Sequence, residues 1–534
     1  MVDVLVIGSG GAGLTAALSA KAEGASVLVV GKYYPTNSQT SMAQGGINAA
    51  LGNAGNDSVK SHIDDTVKSA HGICDKDMVR QMCENGHVTI EWLESIGVPF
   101  SRLDSAESSV KSVAQRQMGG ASAKRACYAQ DYTGLKILHT IYDTCLKEQI
   151  EFLDEHYLLN LITKDGTVKG ATFFNMRSGE VLQIDAKSVI MATGGYGSIY
   201  HGYTTNAHGS TGDGVAAVLR AGGAVSDMEF IQFHPTALKH SAILISESAR
   251  GEGGCLVNEQ GKRFVDELKP RDEVARAIFS QIQNGQRVYL DLRHLGEEKL
   301  KELLPQEVEL CKIHEHVDPA AELIPIKPVA HYTMGGIDVD QALEVNGING
   351  CFAVGECSNA KVHGANRLGG NSLLEIIAFG HFAGQNACKH SIYASSKPAD
   401  NRQRESDTAE IEALLLQETT GNFYPYREAL GTLFYEKVGI VRENTQLNEA
   451  LEEAISMQIA QKEMGISDKS QTNNQNLIEF LEFKNALLLA PTIISAAITR
   501  NESRGAHYKI GFEYENEAFK KHIVLQWKNE NNEE

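Results

Sequence analysis

The apolar positions of this chain fall into short continuous runs separated by glycine turns and helical patterns. The first run, "VDVLVI" (2–7), suits a strand buried on both faces. A glycine turn follows, then a helix predicted over Gly11–Ala22 and a second apolar run over Val27–Val30. That order predicts a βαβ unit with parallel strands. "SVIMATGGYGSIY" (188–200) repeats the buried strand and glycine turn, and "GDGVAAVLRAGG" (212–223) starts another helix. "GCFAVGECSNAKVHGANRLGGNSLLEIIAFG" (350–380) supplies another strand, a turn and a glycine-rich helix start. The segment between, about 231–349, therefore reads as inserted into one nucleotide-binding domain. Beyond Gly380, the span Ser406–Gln471 carries amphipathic helical patterning, and "ESRGAHYKIGFEY" (502–514) opens a tail.

Composition narrows the class. The chain has 534 residues, 42% of them hydrophobic, enough for two or more domains with buried cores. Glycine (50) far exceeds proline (11), as tight strand-to-helix turns require. A net charge of -19 disfavours nucleic-acid and anionic-membrane partners. The nine cysteines are scattered, without CxxC spacing or nearby histidines at finger-like spacing. They read as reduced, mostly buried thiols, with no metal or iron–sulfur site in this chain. "MVDVLVIGSG" begins directly with a strand and has no basic leader region, so no signal peptide is expected, although a processed exported form would look the same. No apolar run approaches the roughly 18 residues of a membrane span.

The glycines carry the first chemistry. Gly8, Gly10 and Gly13 stand in G-x-G-x-x-G spacing between the first strand and its helix. The first allows a tight turn, the second admits a pyrophosphate to the backbone, and the third lets helix pack on strand. The positive helix end then faces the phosphates. The acidic residue that usually binds ribose after the second strand is missing; the chain reads "VVGKYYP" with Lys32, which argues against a typical NAD site and for FAD. Asp213 at a helix start reads equally as a cap or as a cofactor contact.

Clustered polar residues carry the second chemistry. They lie in "FIQFHPTAL" (His234, Thr236), "LISESARGEGG" (Ser246, Glu247, Arg250), "LKPRDEVARAI" (Arg271, Asp272), "KPVAHYTMGGI" (His331) and "HGANRLGGNSL" (His363, Asn366, Arg367, Ser372). Singly, each has an ordinary structural explanation as a turn histidine, a helix-start ion pair or a core histidine. Together, arginine forks and histidines beside a redox cofactor suit a small dicarboxylate.

These stretches, with "ESRGAH" (502–507), resemble the flavoprotein subunit of fumarate reductase and succinate dehydrogenase, within the wider family that includes L-aspartate oxidase. The resemblance implies an α/β fold: a discontinuous Rossmann-like FAD domain (1–230 and 350–400), an inserted α+β capping domain (231–349), a helical domain (401–490) and a short C-terminal domain (491–534). It implies that His234, Thr236, Ser246, His331 and Arg367 bind the substrate, Ser246 standing where threonine is common. Arg271 would give a proton to one substrate carbon while hydride leaves flavin N5 for the other, with Glu247 and Arg250 as the relay behind it and His234 beside it. The implied FAD contacts are Gly8, Gly10, Gly11, Gly13, Lys32, Ser38, Gln39, Thr40, Gln44, Gly45, Gly46, Asp213, Glu356, Arg367, Ser372 and Leu373. The implied partner is an iron–sulfur electron-transfer subunit, with further anchor or quinone-reactive subunits.

Two departures sharpen the reading. L-aspartate oxidase, which makes iminoaspartate, typically has an acidic residue where this chain has Met118 in "RQMGGASAKRACYAQDYTG" (116–134); a thioether cannot balance the substrate ammonium. That enzyme stays the alternative, and a catalytically silent flavin-binding protein the third reading. The covalent flavin histidine of an S-H-T motif is replaced by Gln39 in Ser38-Gln39-Thr40, and the next histidine is His62. Noncovalent FAD, and hence a more reducing flavin that favours fumarate reduction, is expected. The span between Arg250 and Arg271 is short for the family, and the tail ends in "KNENNEE" (528–534).

Overall fold

The computed structural model describes residues 1–103, 112–418 and 421–527. The predicted βαβ unit forms residue for residue: strand β1 is Val2–Ile7, helix α1 is Gly11–Ala22 and strand β2 is Val27–Val30. β1 lies between β2 and the strand Val181–Met191, parallel to both. Both its edges are thus paired, and Val4, Leu5 and Val6, which alternate between its faces, have no exposure, hence the unbroken apolar run. Glu151–Leu153 extends the sheet beyond β2, and the antiparallel strands Thr167–Asn175 and His156–Lys164 extend it on the other side. Cys351–Ala353 pairs in parallel with Val181–Met191, so the chain does return to its first sheet after the insertion. The helix Asn371–Tyr393 crosses α1 backbone to backbone; a Cβ on Gly384 would lie 2.3 Å from the Ala16 carbonyl oxygen.

The insertion builds an antiparallel sheet in the order Ile231–Leu238, Ile324–Thr333, Val288–Asp291, Cys255–Asn258. Its core is its own, around Leu238, Ile245, Leu256, Ile278 and Leu290. The return comes earlier than residue 349. Gly336–Asp338 already pairs with Ala224–Ser226 and Ser358–Asn359. Gly335 makes the switch possible, since a Cβ there would lie 2.0 Å from the Asp227 carbonyl oxygen.

Among the described residues four helices follow: Arg402–Leu416, Tyr424–Lys437, Asn444–Gln461 and Gln475–Thr499. The last runs straight through the expected 490/491 boundary with Pro491 inside it. Proline cannot donate to the carbonyl four residues back, and the Gln458 side chain donates to that Leu487 oxygen instead, at 2.6 Å. Nor does the tail stand apart, because Val524–Gln526 pairs with Ala224–Ser226. Buried Arg500 pairs with Glu229 at 2.5 Å and with Glu502 at 3.1 Å. "KNENNEE" lies outside the described residues. Among those described, no helix is long and apolar enough to cross a membrane.

Candidate active site

A cleft of about 1570 Å³, its open mouth included, runs from the start of α1 past the 38–46 loop to the cap sheet. At the α1 end, Gly8 has φ +113°, and a Cβ there would lie 2.1 Å from the Ala192 carbonyl oxygen. A Cβ on Gly13 would lie 2.0 Å from the Gly8 carbonyl oxygen. Gly10 stands at the head of α1 with no side-chain cap and no acidic residue in the first turn. The Gly11 N–H donates to Thr40 Oγ1 at 3.1 Å, and the helix turns its positive dipole end toward the cleft. The helix Asn371–Tyr393 also starts on the cleft wall without a side-chain cap. Ser38 Oγ, Gln44 Oε1 and Thr193 Oγ1 are buried in the same walls without hydrogen-bond partners. An elongated cleft with two uncapped helix starts and unspent polar atoms fits a dinucleotide whose phosphates sit on α1.

The other end is cationic. Arg271 opens the helix Arg271–Gln283. Its Nε and one terminal nitrogen donate to Glu247 Oε2 at 3.0 and 2.7 Å, and its other terminal nitrogen donates to Gln232 Oε1 at 3.0 Å. Glu247 Oε1 accepts the Gly119 N–H at 3.0 Å and lies 3.5 Å from the Arg250 guanidinium. Burial pushes the Glu247 carboxyl up, but Arg271 and Arg250 outweigh it and hold it below its ordinary value. Burial lowers Arg250, and it pulls Arg367 down to about 10 with the Arg271 charge adding. The His234 and His331 rings lie 4.9 Å apart. Burial, then the Arg271 charge, holds both well below the usual imidazole range, so both are neutral. Three buried guanidiniums thus surround one buried carboxylate. Such an excess calls for a small anion with carboxylates of its own.

Residues 3–373 match the FAD binding domain family, and 427–534 match the fumarate reductase flavoprotein C-terminal family. The chain is 39% identical to a fumarate reductase flavoprotein subunit of Serratia sp., over 95% of this chain and 89% of that one. It is 37% identical to a succinate dehydrogenase flavoprotein subunit of Rickettsia conorii, over 98% and 92% respectively. The solved E. coli quinol fumarate reductase superposes with a TM-score of 0.91 at 37% identity, covering 98% of this chain and 94% of that one. The chain belongs to the fumarate reductase/succinate dehydrogenase flavoprotein family.

In this flavoprotein most of the residues singled out in the sequence converge on the cleft. Gly8, Gly10, Gly11, Lys32, Ser38, Gln39, Thr40, Gln44, Gly45, Gly46, Glu356, Ser372 and Leu373 line it, as do His234, Ser246, Glu247, Arg271, His331 and Arg367. Gln39 Oε1 accepts the Ala207 N–H at 2.8 Å. Burial raises the Glu356 carboxyl to about 7. Asp272, His363 and Asn366 do not line it, and four others stand behind the wall. Gly13 serves packing. Arg250 lies behind Glu247, donating to the Glu267 carbonyl at 2.6 Å. Thr236 does not face the cleft; its carbonyl oxygen and N–H lie 3.0 and 3.3 Å from His234 Nδ1, fixing that ring. Asp213 is neither the cap nor a lining residue. Gly212 takes the cap position in the left-handed region, and the Asp213 carboxylate pairs with Lys32 at 2.6 Å.

The sequence reading missed Gln232, Thr205 and Tyr332. Gln232 Nε2 donates to Asn366 Oδ1 and the Arg367 carbonyl at 2.7 and 2.8 Å, which joins the Arg271 fork to the Arg367 backbone. Thr205 Oγ1 lies 2.7 Å from His331 Nδ1. The Arg367 guanidinium stacks 4.2 Å over Tyr332. Met118 is buried on the cleft wall, its methyl 2.6 Å from where a Gly45 Cβ would stand.

Proposed function

We propose that this flavoprotein interconverts fumarate and succinate, running chiefly toward succinate, with FAD held without a covalent bond. The Arg271–Glu247–Arg250 array beside Arg367 and two neutral histidines carries this reading. Bound FAD supplies hydride exchange at N5. Arg367, His331, His234 and Ser246 grip the two carboxylates and fix the C=C bond. Arg271 gives a proton to the alkene carbon that does not receive hydride, and Glu247 and Arg250 return the proton to Arg271. The flanking arginines make this workable: they keep the buried Glu247 an ionised acceptor. Backbone N–H groups of α1 take the pyrophosphate, Lys32, Glu356 and the 38–46 loop hold the rest of the cofactor, and Asp213 supports Lys32. Met118, in place of a carboxylate, offers nothing to the ammonium of aspartate.

Gln39 has no ring nitrogen to bond to the flavin and is held by the Ala207 N–H. The absence of an electron-withdrawing 8α-histidyl bond supports a more reducing flavin, and so the reductive direction. Electrons pass to and from an iron–sulfur subunit, through which, with further anchor or quinone-reactive subunits, the chain sits peripherally at a membrane. Reduced viologen with fumarate, phenazine dye with succinate, and peroxide release from L-aspartate separate the candidate activities; turnover of aspartate alone would sink the proposal. Arg271→Gln and Arg271→Lys should lose nearly all turnover, and full activity in either would remove Arg271 from the reaction. Acid precipitation should leave the protein colourless. A flavin potential well above the fumarate/succinate couple would defeat the preferred direction.

A further inference from the structure

Behind Ser246 lies a carboxyl that the proposed reaction does not use. Glu307 stands in the first turn of the cap helix Pro305–His314 and is 1% exposed. Its Oε1 accepts the Ser246 N–H at 2.9 Å. Ser246 heads the helix Glu247–Gly251, its Oγ accepting the Ser248 N–H at 3.1 Å, and faces the cleft. Glu307 thus holds the backbone from which the Ser246 hydroxyl projects. Its other oxygen, Oε2, is buried without a hydrogen-bond partner. No described cation lies within ion-pairing distance of it.

The surroundings disfavour a negative charge there. Asp131, fully buried on the neighbouring FAD domain, accepts the Gln306 and Glu307 N–H groups at 2.8 and 3.3 Å through Oδ2. Among the described residues, Arg116 is the cation that lowers Glu307. Its hydrogen bond goes to the Gln130 carbonyl at 2.6 Å, and its plane stacks 3.7 Å over the Tyr128 ring. Tyr132 beside Asp131, and Cys311 one turn along the same helix, also feel this carboxyl. Burial pushes Glu307 up to about 8; the Ser246 N–H opposes the shift and Asp131 adds to it. At neutral pH Glu307 is therefore a neutral acid in contact with a residue assigned to a substrate carboxylate.

We propose that Glu307 is a positioning residue of the dicarboxylate site: it fixes Ser246 as a neutral acid, and its ionised form and a bound dianion exclude one another. Above neutrality, dicarboxylate binding then draws a proton onto Glu307. The inference rests on the assignment of Ser246 to a substrate carboxylate.

Calorimetric titration of the FAD-loaded protein with malonate, a nonreacting dicarboxylate, tests it at pH 7, 8 and 9 in buffers of different ionisation enthalpy. Wild type should weaken about tenfold per pH unit above pH 8 and take up about half a proton from the buffer onto Glu307 at pH 8. Glu307→Leu, with no acceptor for the Ser246 N–H, should weaken binding at pH 7 by about tenfold. Glu307→Gln keeps the acceptor and should reverse that loss while removing the alkaline slope and its share of proton uptake. A purely structural role would leave slope and uptake unchanged in Glu307→Gln, and that result overturns the inference while the substrate assignment stands. No malonate binding by wild type at pH 7 overturns both.

Discussion

Arg271 acts only as well as it is aimed, and Gln232 does much of the aiming. Its amide accepts from Arg271 and donates to the Arg367 carbonyl, so one uncharged side chain sets the spacing between the proposed proton donor and the proposed carboxylate clamp. A hydrogen bond to a charged group contributes about 1.5–3 kcal/mol. Gln232→Leu should therefore lower kcat/KM for fumarate by about ten- to a hundredfold, with most of the loss in kcat if the Arg271 geometry dominates. An unchanged kcat with a raised KM would assign Gln232 to substrate binding alone. Gln232 was on view in the sequence as the spacer before "FHPT". Nothing local marks it, because its partners are 39 and more than 130 residues away. The arginines and histidines were legible because rare residue types sat beside glycine turns; their connectors are ordinary polar residues whose meaning is purely spatial.

At the scale of elements, local chemistry accounts for what was legible. β1, α1 and β2 follow from an apolar run, a glycine spacing and a second apolar run, each decided within a few residues. The continuation of the Gln475–Thr499 helix through Pro491 was not legible, since proline ordinarily ends a helix, and the compensating donor lies on another helix. That compensation is testable as a cycle. Gln458→Ala should strand the Leu487 carbonyl and cost about 1 kcal/mol, read as roughly fivefold faster amide exchange over this helix. In a Pro491→Ala background the carbonyl regains a backbone donor, and Gln458→Ala should cost almost nothing; equal costs in both backgrounds would disprove the link. The start of the Asn371–Tyr393 helix depends on a buried histidine in the same way. His62 Nε2 lies 2.9 Å from Asn371 Oδ1, and burial lowers His62 to about 4. The unfolded chain, titrating near 6.5, binds the proton first as pH falls. This stabilisation is complete above about pH 6.5 and lost toward pH 4, by up to about 3 kcal/mol. His62→Gln should flatten the acid limb of the stability curve between those pH values, and an unaltered limb would rule His62 out as its origin.

Across the whole molecule, Lys32 ties the nucleotide end to the helical domain, beside Arg220, which donates to Asn485 at 2.7 Å. Lys32, just after β2, donates to Asp213 at 2.6 Å, to Glu482 at 2.7 Å and to the Gly209 carbonyl at 2.9 Å. Asp213 belongs to the helix Asp213–Arg220 and Glu482 to the helix Gln475–Thr499. Tyr157 and Asn485 also bond Asp213, at 2.9 Å each. The missing acid after β2, read in the sequence as a mark against NAD, is thus the visible end of an ion cluster drawn from three distant segments. Burial opposes the Lys32 charge, yet the two carboxylates outweigh it and raise the lysine above its ordinary value. With its donors so engaged, Lys32 shapes the cleft through the wall it holds. Lys32→Met removes the cation and leaves two buried carboxylates together, with the Arg427 guanidinium 4.0 Å from Glu482 as the remaining ion pair of that carboxylate. Breaking a buried pair this way costs about 3–5 kcal/mol. Hydrogen exchange should show the loss in both the Asp213–Arg220 and Gln475–Thr499 helices, along with weaker FAD retention on dilution. Adding Asp213→Asn and Glu482→Gln removes the stranded charges and should restore most of the protection. If the triple variant is no better protected than Lys32→Met alone, charge balance is not what joins these segments, and the contact is one of shape.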